Sequence, residues 1–173
     1  MVEPFELAEY VGFTEEEVVS LCKNSRLEFV DLKKWYDGYS FKNAPSIYNP
    51  NSIMKCMKSG EYLNYWSKTK SYESLKVYID MDFEGIRQAL LQIMGGNSCK
   101  VNTHSFQNDM VNINSKDDVF TLLIHLGYLA YNPENKTVRI PNEEIRDEFK
   151  TSLCLSASIM TKKQRSMNAK LKG

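Results

Sequence analysis

Apolar residues recur every three or four positions along much of this chain, and most of these stretches open on a residue that caps helices. Thr14-Glu15-Glu16-Glu17 reads as a capping box: the threonine hydroxyl accepts the amide of the third helical residue, and Glu17 reaches back to the cap. Three acids in that turn suit the positive end of the helix dipole, and Val18, Leu21 and Cys22 then share an inward face. A second helix is predicted over Glu28–Tyr36. It buries Phe29, Leu32 and either Trp35 or Tyr36, and Asp37-Gly38 stops it with Gly38 left-handed. Asn49 caps a third, with Pro50 at the first position, where no amide hydrogen is needed. Its core face is Ile53, Met54 and Met57, and Gly60 ends it.

Two helices are expected between Tyr72 and Met94. The first pairs Leu75 with Ile79; the second carries Phe83, Ile86, Leu90 and Ile93 on one stripe and breaks at Gly95-Gly96. Cys99 to Ile113 reads as a polar loop with short extended pieces at Lys100–Asn102 and Met110–Ile113. Ser115-Lys116-Asp117-Asp118 is a second capping box. It starts a helix through Leu126, with Val119, Leu122 or Leu123, and Leu126 inward and Gly127 at its end. Tyr128–Tyr131 and Thr137–Ile140 read as two strands around a turn at Asn132–Lys136, and Asn142 opens a last helix with Ile145 and Phe149 inward. Helix, hairpin, helix is the layout of a winged-helix-like module.

Composition narrows the chemistry. Over 173 residues, 22 basic side chains balance 22 acidic ones, which disfavours a dedicated polyanion binder. The balance is uneven along the chain: Lys150–Gly173 holds six basic residues and no acid, which marks 151–173 as a basic extension, either foreign or poorly ordered. The most apolar stretch, Val119–Tyr131, is broken by Thr121, His125 and Gly127 and is too short to span a bilayer. Met1-Val2-Glu3-Pro4 has no apolar signal core. The expected location is therefore cytoplasmic, with Cys22, Cys56, Cys99 and Cys154 reduced and no membrane partner. No CxxC occurs, and His104 and His125 are the only histidines, so no metal site is expected. His125 reads as a partly buried structural residue.

No Gly-Lys dipeptide occurs, so there is no P-loop, and neither GxGxxG nor GxSxG is present. No cofactor and no catalytic residue is expected. Three triplets fit a loose nuclease pattern: Asp31-Leu32-Lys33, Glu134-Asn135-Lys136 and Glu148-Phe149-Lys150. The first and third fall on predicted helices and the second in a turn, where that chemistry, which needs a strand, is misplaced. Aromatic knots at Trp35–Phe41 and Tyr62–Trp66 could stack bases, but their flanking charges are mixed, so core packing is the expected role. The helix after Ser115 starts with Asp117 and Asp118, which would repel phosphates, and the hairpin offers only Lys136 and Arg139.

An ordered set of motifs carries a resemblance. Gly12-Phe13-Thr14-Glu15-Glu16-Glu17-Val18 comes first, then Trp35-Tyr36-Asp37-Gly38-Tyr39 with Phe41, then Ile47-Tyr48-Asn49-Pro50 with Ser52-Ile53. Tyr65-Trp66, Leu126-Gly127-Tyr128-Leu129 and Ile140-Pro141-Asn142-Glu143-Glu144 follow. Together they resemble bacterial AAA-ATPase-like proteins, a family often linked to a PD-(D/E)XK nuclease-like domain, over about Pro4 to Phe149. In that family the P-loop lies upstream of the first motif and the nuclease-like domain beyond the last. The resemblance therefore implies a mainly α fold: a helical lid-like bundle over 1–96, then a winged-helix-like module over 97–150 with one small β-hairpin, then the tail over 151–173. It implies a non-catalytic regulatory or interaction fragment; the helix-hairpin-helix layout, the aromatic knots and the basic tail keep a nucleic-acid-binding module as the alternative. The implied partner is a protein, either an ATPase core in trans or a second copy; DNA is the lesser candidate. An exposed apolar patch is expected at Phe5, Leu7, Tyr39 and Phe41. The motif residues Trp35, Tyr36, Asp37, Gly38, Tyr39, Tyr48, Asn49, Pro50, Tyr65, Trp66, Gly127, Tyr128, Pro141 and Asn142 carry a structural role in this reading.

Overall fold

The caps set the helices. In the computed structural model, which describes residues 5–41, 44–66, 77, 85–104, 106 and 113–151, a 3-10 turn at Phe5–Tyr10 leads into strand β1 (Phe13–Thr14) and helix α1 (Glu15–Cys22). The Thr14 amide donates to Glu17 Oε2 at 2.9 Å and the Glu17 amide donates to Thr14 Oγ1 at 3.4 Å, completing the capping box. Helix α2 (Phe29–Tyr36) buries Leu32 and Tyr36 fully, with Phe29 and Trp35 packed at the margin. Helix α3 (Pro50–Ser59) is capped by Asn49 Oδ1, which accepts the Asn51 and Ser52 amides, and it ends on left-handed Gly60.

Met54 departs from the expected core face of α3: it is 52% exposed, while Ser52, Ile53 and Cys56 are fully buried. The helix is rotated so that the Ser52 hydroxyl faces inward, where it hydrogen-bonds to a buried carboxyl. Helix α4 (Ile86–Met94) buries Ile86, Ala89, Leu90 and Ile93. Helix α5 (Lys116–His125) follows the Ser115–Asp118 capping box and is buried from Asp118 through Ile124, on all its faces rather than along one stripe. A last helix, α6, covers 143–151 and turns Ile145 and Phe149 inward.

The sheets correct the expectation of one small hairpin. Among the described residues two three-stranded antiparallel sheets are present, in the orders β1-β3-β2 and β4-β6-β5. In the first, β3 (Ala44–Tyr48) lies between β1 and β2 (Tyr39–Phe41). In the second, β4 (Cys99–Lys100) adds an edge to the hairpin of β5 (Ala130–Asn132) and β6 (Thr137–Arg139). Strands this short hold too few alternations to show a period of two in the sequence. A close backbone approach also decides the first sheet: a Cβ on Gly12 would lie 2.5 Å from the Tyr48 carbonyl oxygen. The hairpin's first strand begins two residues later than expected. The amides of Tyr128 and Leu129 turn back to the Leu123 carbonyl at 2.8 and 3.2 Å, around left-handed Gly127, and help to close α5.

Two main cores result. One gathers Val18, Leu27, Leu32, Tyr36, Tyr48, Ile53, Cys56 and Tyr65. The other gathers the hairpin, α5, α6 and also α4, so Ile86, Leu90 and Ile93 pack with Phe120, Tyr128 and Phe149. No helix among the described residues is long and apolar enough to cross a membrane. Leu75, Ile79, Phe83, the extended piece at 110–112 and the tail beyond Thr151 lie outside the described residues.

Candidate functional site: the seam between the two cores

The motif residues meet where the two cores face each other. Gly38 has φ +116°, and a Cβ there would lie 2.1 Å from the Pro141 carbonyl oxygen, so the backbone after α2 touches the backbone before α6. On either side of that contact, Asn142 Nδ2 donates to the Asp37 carbonyl at 2.8 Å and Arg139 donates to the Gly38 carbonyl at 2.9 Å. Asn142 also caps α6, its Oδ1 accepting the Ile145 amide at 3.0 Å. Asp37 is held by its own neighbours: its carboxylate accepts the Gly38 amide and the Ser46 hydroxyl, each at 2.6 Å. The Tyr39 hydroxyl donates to the Gly127 carbonyl at 2.6 Å. Burial drives the Tyr39 phenol well above its ordinary range, so it stays a donor.

Aromatic packing continues the seam. A Cβ on Gly127 would lie 3.0 Å from Trp66 Cη2, and the Trp66 ring meets Tyr128 edge-on with centroids 5.8 Å apart. Tyr128 meets Phe149 in the same way. The other motif residues support one side: the Tyr36 hydroxyl donates to the Leu63 carbonyl and accepts the Leu63 amide, Tyr48 is fully buried, and Asn49-Pro50 starts α3. Trp35 packs at the margin of the same core.

The polar centre of the seam is Glu144 on α6. Its side chain is 1% exposed. Oε1 accepts the amides of Tyr65 at 2.8 Å and Trp66 at 3.1 Å, and the Ser52 hydroxyl lies 2.9 and 2.8 Å from the two oxygens. One turn later Glu148, also fully buried, accepts from Asn64 Nδ2 at 3.0 Å, while its Oε1 has no hydrogen-bond partner among the described residues. Burial, more than any neighbour, pushes the Glu144 carboxyl up to about 7; the hydrogen bonds from Ser52, Tyr65 and Trp66 hold it down, and the Glu148 charge adds to the rise. Glu148 is raised as well, again chiefly by burial.

Sequence reasoning did not select Ser52, Asn64, Arg139, Glu144 or Glu148 as site residues. One signal was present for the acids: 144 and 148 are four apart and adjacent to the apolar pair 145 and 149, so they flank the buried stripe of α6. The expected apolar patch is corrected. Leu7 is 64% exposed, but Tyr39 and Phe41 pack against Ala44 and Ile47, and the side chain of Phe5 is outside the described set. The exposed apolar residues beside Leu7 are Tyr10 and Val11. His125 is exposed and stacks on Phe106 with centroids 5.7 Å apart, so it is less buried than expected. Among the described residues no group of three or more His, Cys, Asp or Glu side chains could hold a metal ion.

No family model, no curated protein and no solved structure matches this chain.

Proposed function

We propose that this chain is a non-catalytic regulatory and interaction module of an AAA-ATPase-like machine, acting beside a P-loop-bearing core rather than binding nucleotide itself. In this reading the first core is a lid-like region, and the unit of α5, the hairpin and α6 is a winged-helix-like module. The partner is a protein, the ATPase core or a second copy, and the setting is the cytoplasm. What supports it is the convergence of Asp37, Gly38, Tyr39, Tyr65, Trp66, Gly127, Tyr128, Pro141 and Asn142 on the seam, where each bridges the two cores or shapes a neighbour that does. A motif set that serves to lock two modules at a fixed angle is what a relay between an ATPase and its partner needs.

Titration calorimetry with magnesium-ATP tests this: no heat of binding is expected, and micromolar binding to this chain alone overturns it. The nucleic-acid alternative gains little from the hairpin. Arg139 spends its guanidinium on the carbonyls of Gly38, Ile140 and Pro141, which leaves Lys136 as the other cation named there. Fluorescence anisotropy with duplex and single-stranded DNA at two salt concentrations separates the readings. Binding that survives deletion of 152–173 favours the alternative, and no binding is expected.

A further inference from the structure

We infer that Glu144 and Glu148 make the seam between the two cores proton-operated, closed while the pair holds a proton and loosened when both carboxyls are charged. Both side chains project from one face of α6 into the seam, both are essentially without solvent contact, and no ion pair reaches either among the described residues. The donors that hold Glu144 all come from outside α6: the Ser52 hydroxyl on α3 and the amide of Tyr65, which belong to the opposite side, and the amide of Trp66, whose ring packs back onto the core of α6. The site has a natural place for a proton. Oε1 takes both amides, whereas among the described residues Oε2 meets only Ser52 Oγ, at 2.8 Å, which can accept from a protonated carboxyl as readily as it donates to a charged one.

Among the described residues, the groups around Glu144 supply no compensating charge. Tyr36 on α2, Tyr39 on β2 and Cys56 on α3 are coupled to it and are all neutral, each held above its ordinary value chiefly by burial. The Tyr65 hydroxyl donates to the Glu61 carbonyl and shares a hydrogen bond with the Ser59 hydroxyl. On α6 itself Glu148 is the second acid, with Asp147 adding like charge to it. Among the described residues, a second negative charge in this enclosure has an orphan oxygen, Glu148 Oε1, and no ion-pair partner to offset it. The shift of Glu144 to about 7 puts the change near neutral pH.

The direction follows from linkage. The folded value is raised above 4.5, so the closed seam binds the proton more tightly than the open one. Its stabilisation is complete below about 4.5 and is lost as pH rises through about 7. This device needs no knowledge of the partner and stands apart from the proposed function.

The test is amide exchange on the full chain from pH 5 to 8.5, expressed as protection relative to the free peptide rate. Protection at Tyr65 and Trp66 should fall by up to about tenfold per pH unit between roughly pH 5 and 7, then level off. Glu144→Gln keeps a carbonyl for both amides and an NH2 for Ser52 Oγ, so it should flatten the profile. Unchanged protection in the wild type, or the same slope in the variant, overturns the inference. A titration of the wild-type glutamate carboxyl carbons by NMR decides independently of any variant. A Glu144 midpoint near 7 supports it, and one in the ordinary carboxylate range overturns it.

Discussion

Gly38 and Pro141 touch through their backbones: any side chain at 38 would have to occupy the space of the Pro141 carbonyl. This contact joins residues about a hundred positions apart and fixes how closely the loop after α2 approaches the entry to α6. Gly38→Ala therefore combines a left-handed backbone position with a steric overlap. We expect a loss of roughly 2–5 kcal/mol in urea unfolding. Gly60→Ala is the control, since Gly60 is also left-handed but has nothing within 4 Å of its missing Cβ. It should cost only about 1–2 kcal/mol. Equal losses at the two sites would show that the close approach carries no weight.

Tyr39→Phe removes one oxygen and leaves the ring. The Gly127 carbonyl then loses its donor at a half-buried site, so a loss of about 1–2 kcal/mol is expected, with the far-ultraviolet circular dichroism unchanged. A variant as stable as the parent would mean that water replaces the phenol at no cost.

Leu90→Ala opens a cavity in the core that α4 shares with the hairpin. The expected loss is about 2–5 kcal/mol. Hydrogen exchange locates it: amides of β5 and β6 should lose protection before those of β1 and β3. The reverse order would place α4 with the first core.

The Lys33–Glu15 pair, 2.5 Å apart, should matter little, because both side chains are nearly half exposed. Lys33→Gln should cost no more than about 0.5 kcal/mol, and even that should vanish in high salt. Its pH dependence runs opposite to the seam. The hydrogen bond from Lys33 lowers the Glu15 carboxyl, so its small contribution is present above the ordinary carboxylate range and is lost as pH falls through the lowered value. A stability profile measured at 0.1 and 1 M salt separates the two: the seam's dependence persists and the surface pair's disappears.

Much of the helical layout was legible because its determinants are local. Thr14 with Glu17, Asn49 with Pro50 and Ser115 with Asp118 each satisfy amides within one turn, so three or four letters suffice to place a start. Left-handed Gly60 and Gly127 mark ends for the same reason. The β5–β6 hairpin was legible from its turn, but the strands that extend it and build the first sheet were not. Phe13–Thr14 becomes a strand only because Ile47–Tyr48 lies beside it, and Cys99–Lys100 only because Thr137–Val138 does. The rotation of α3 was likewise hidden, since Ser52 outranks Met54 for the interior only once Glu144 is there to hydrogen-bond its hydroxyl.

What the sequence determined by itself is the set of helices with their caps and the apolar faces at 29–36, 86–93 and 145–149, all governed by contacts within a turn or two. What only the tertiary structure decided is which of those faces meet, and that two acids of α6 lie sealed in the seam. A carboxylate's environment is made by chain segments up to 92 residues away, and no short-range pattern encodes which of them arrive.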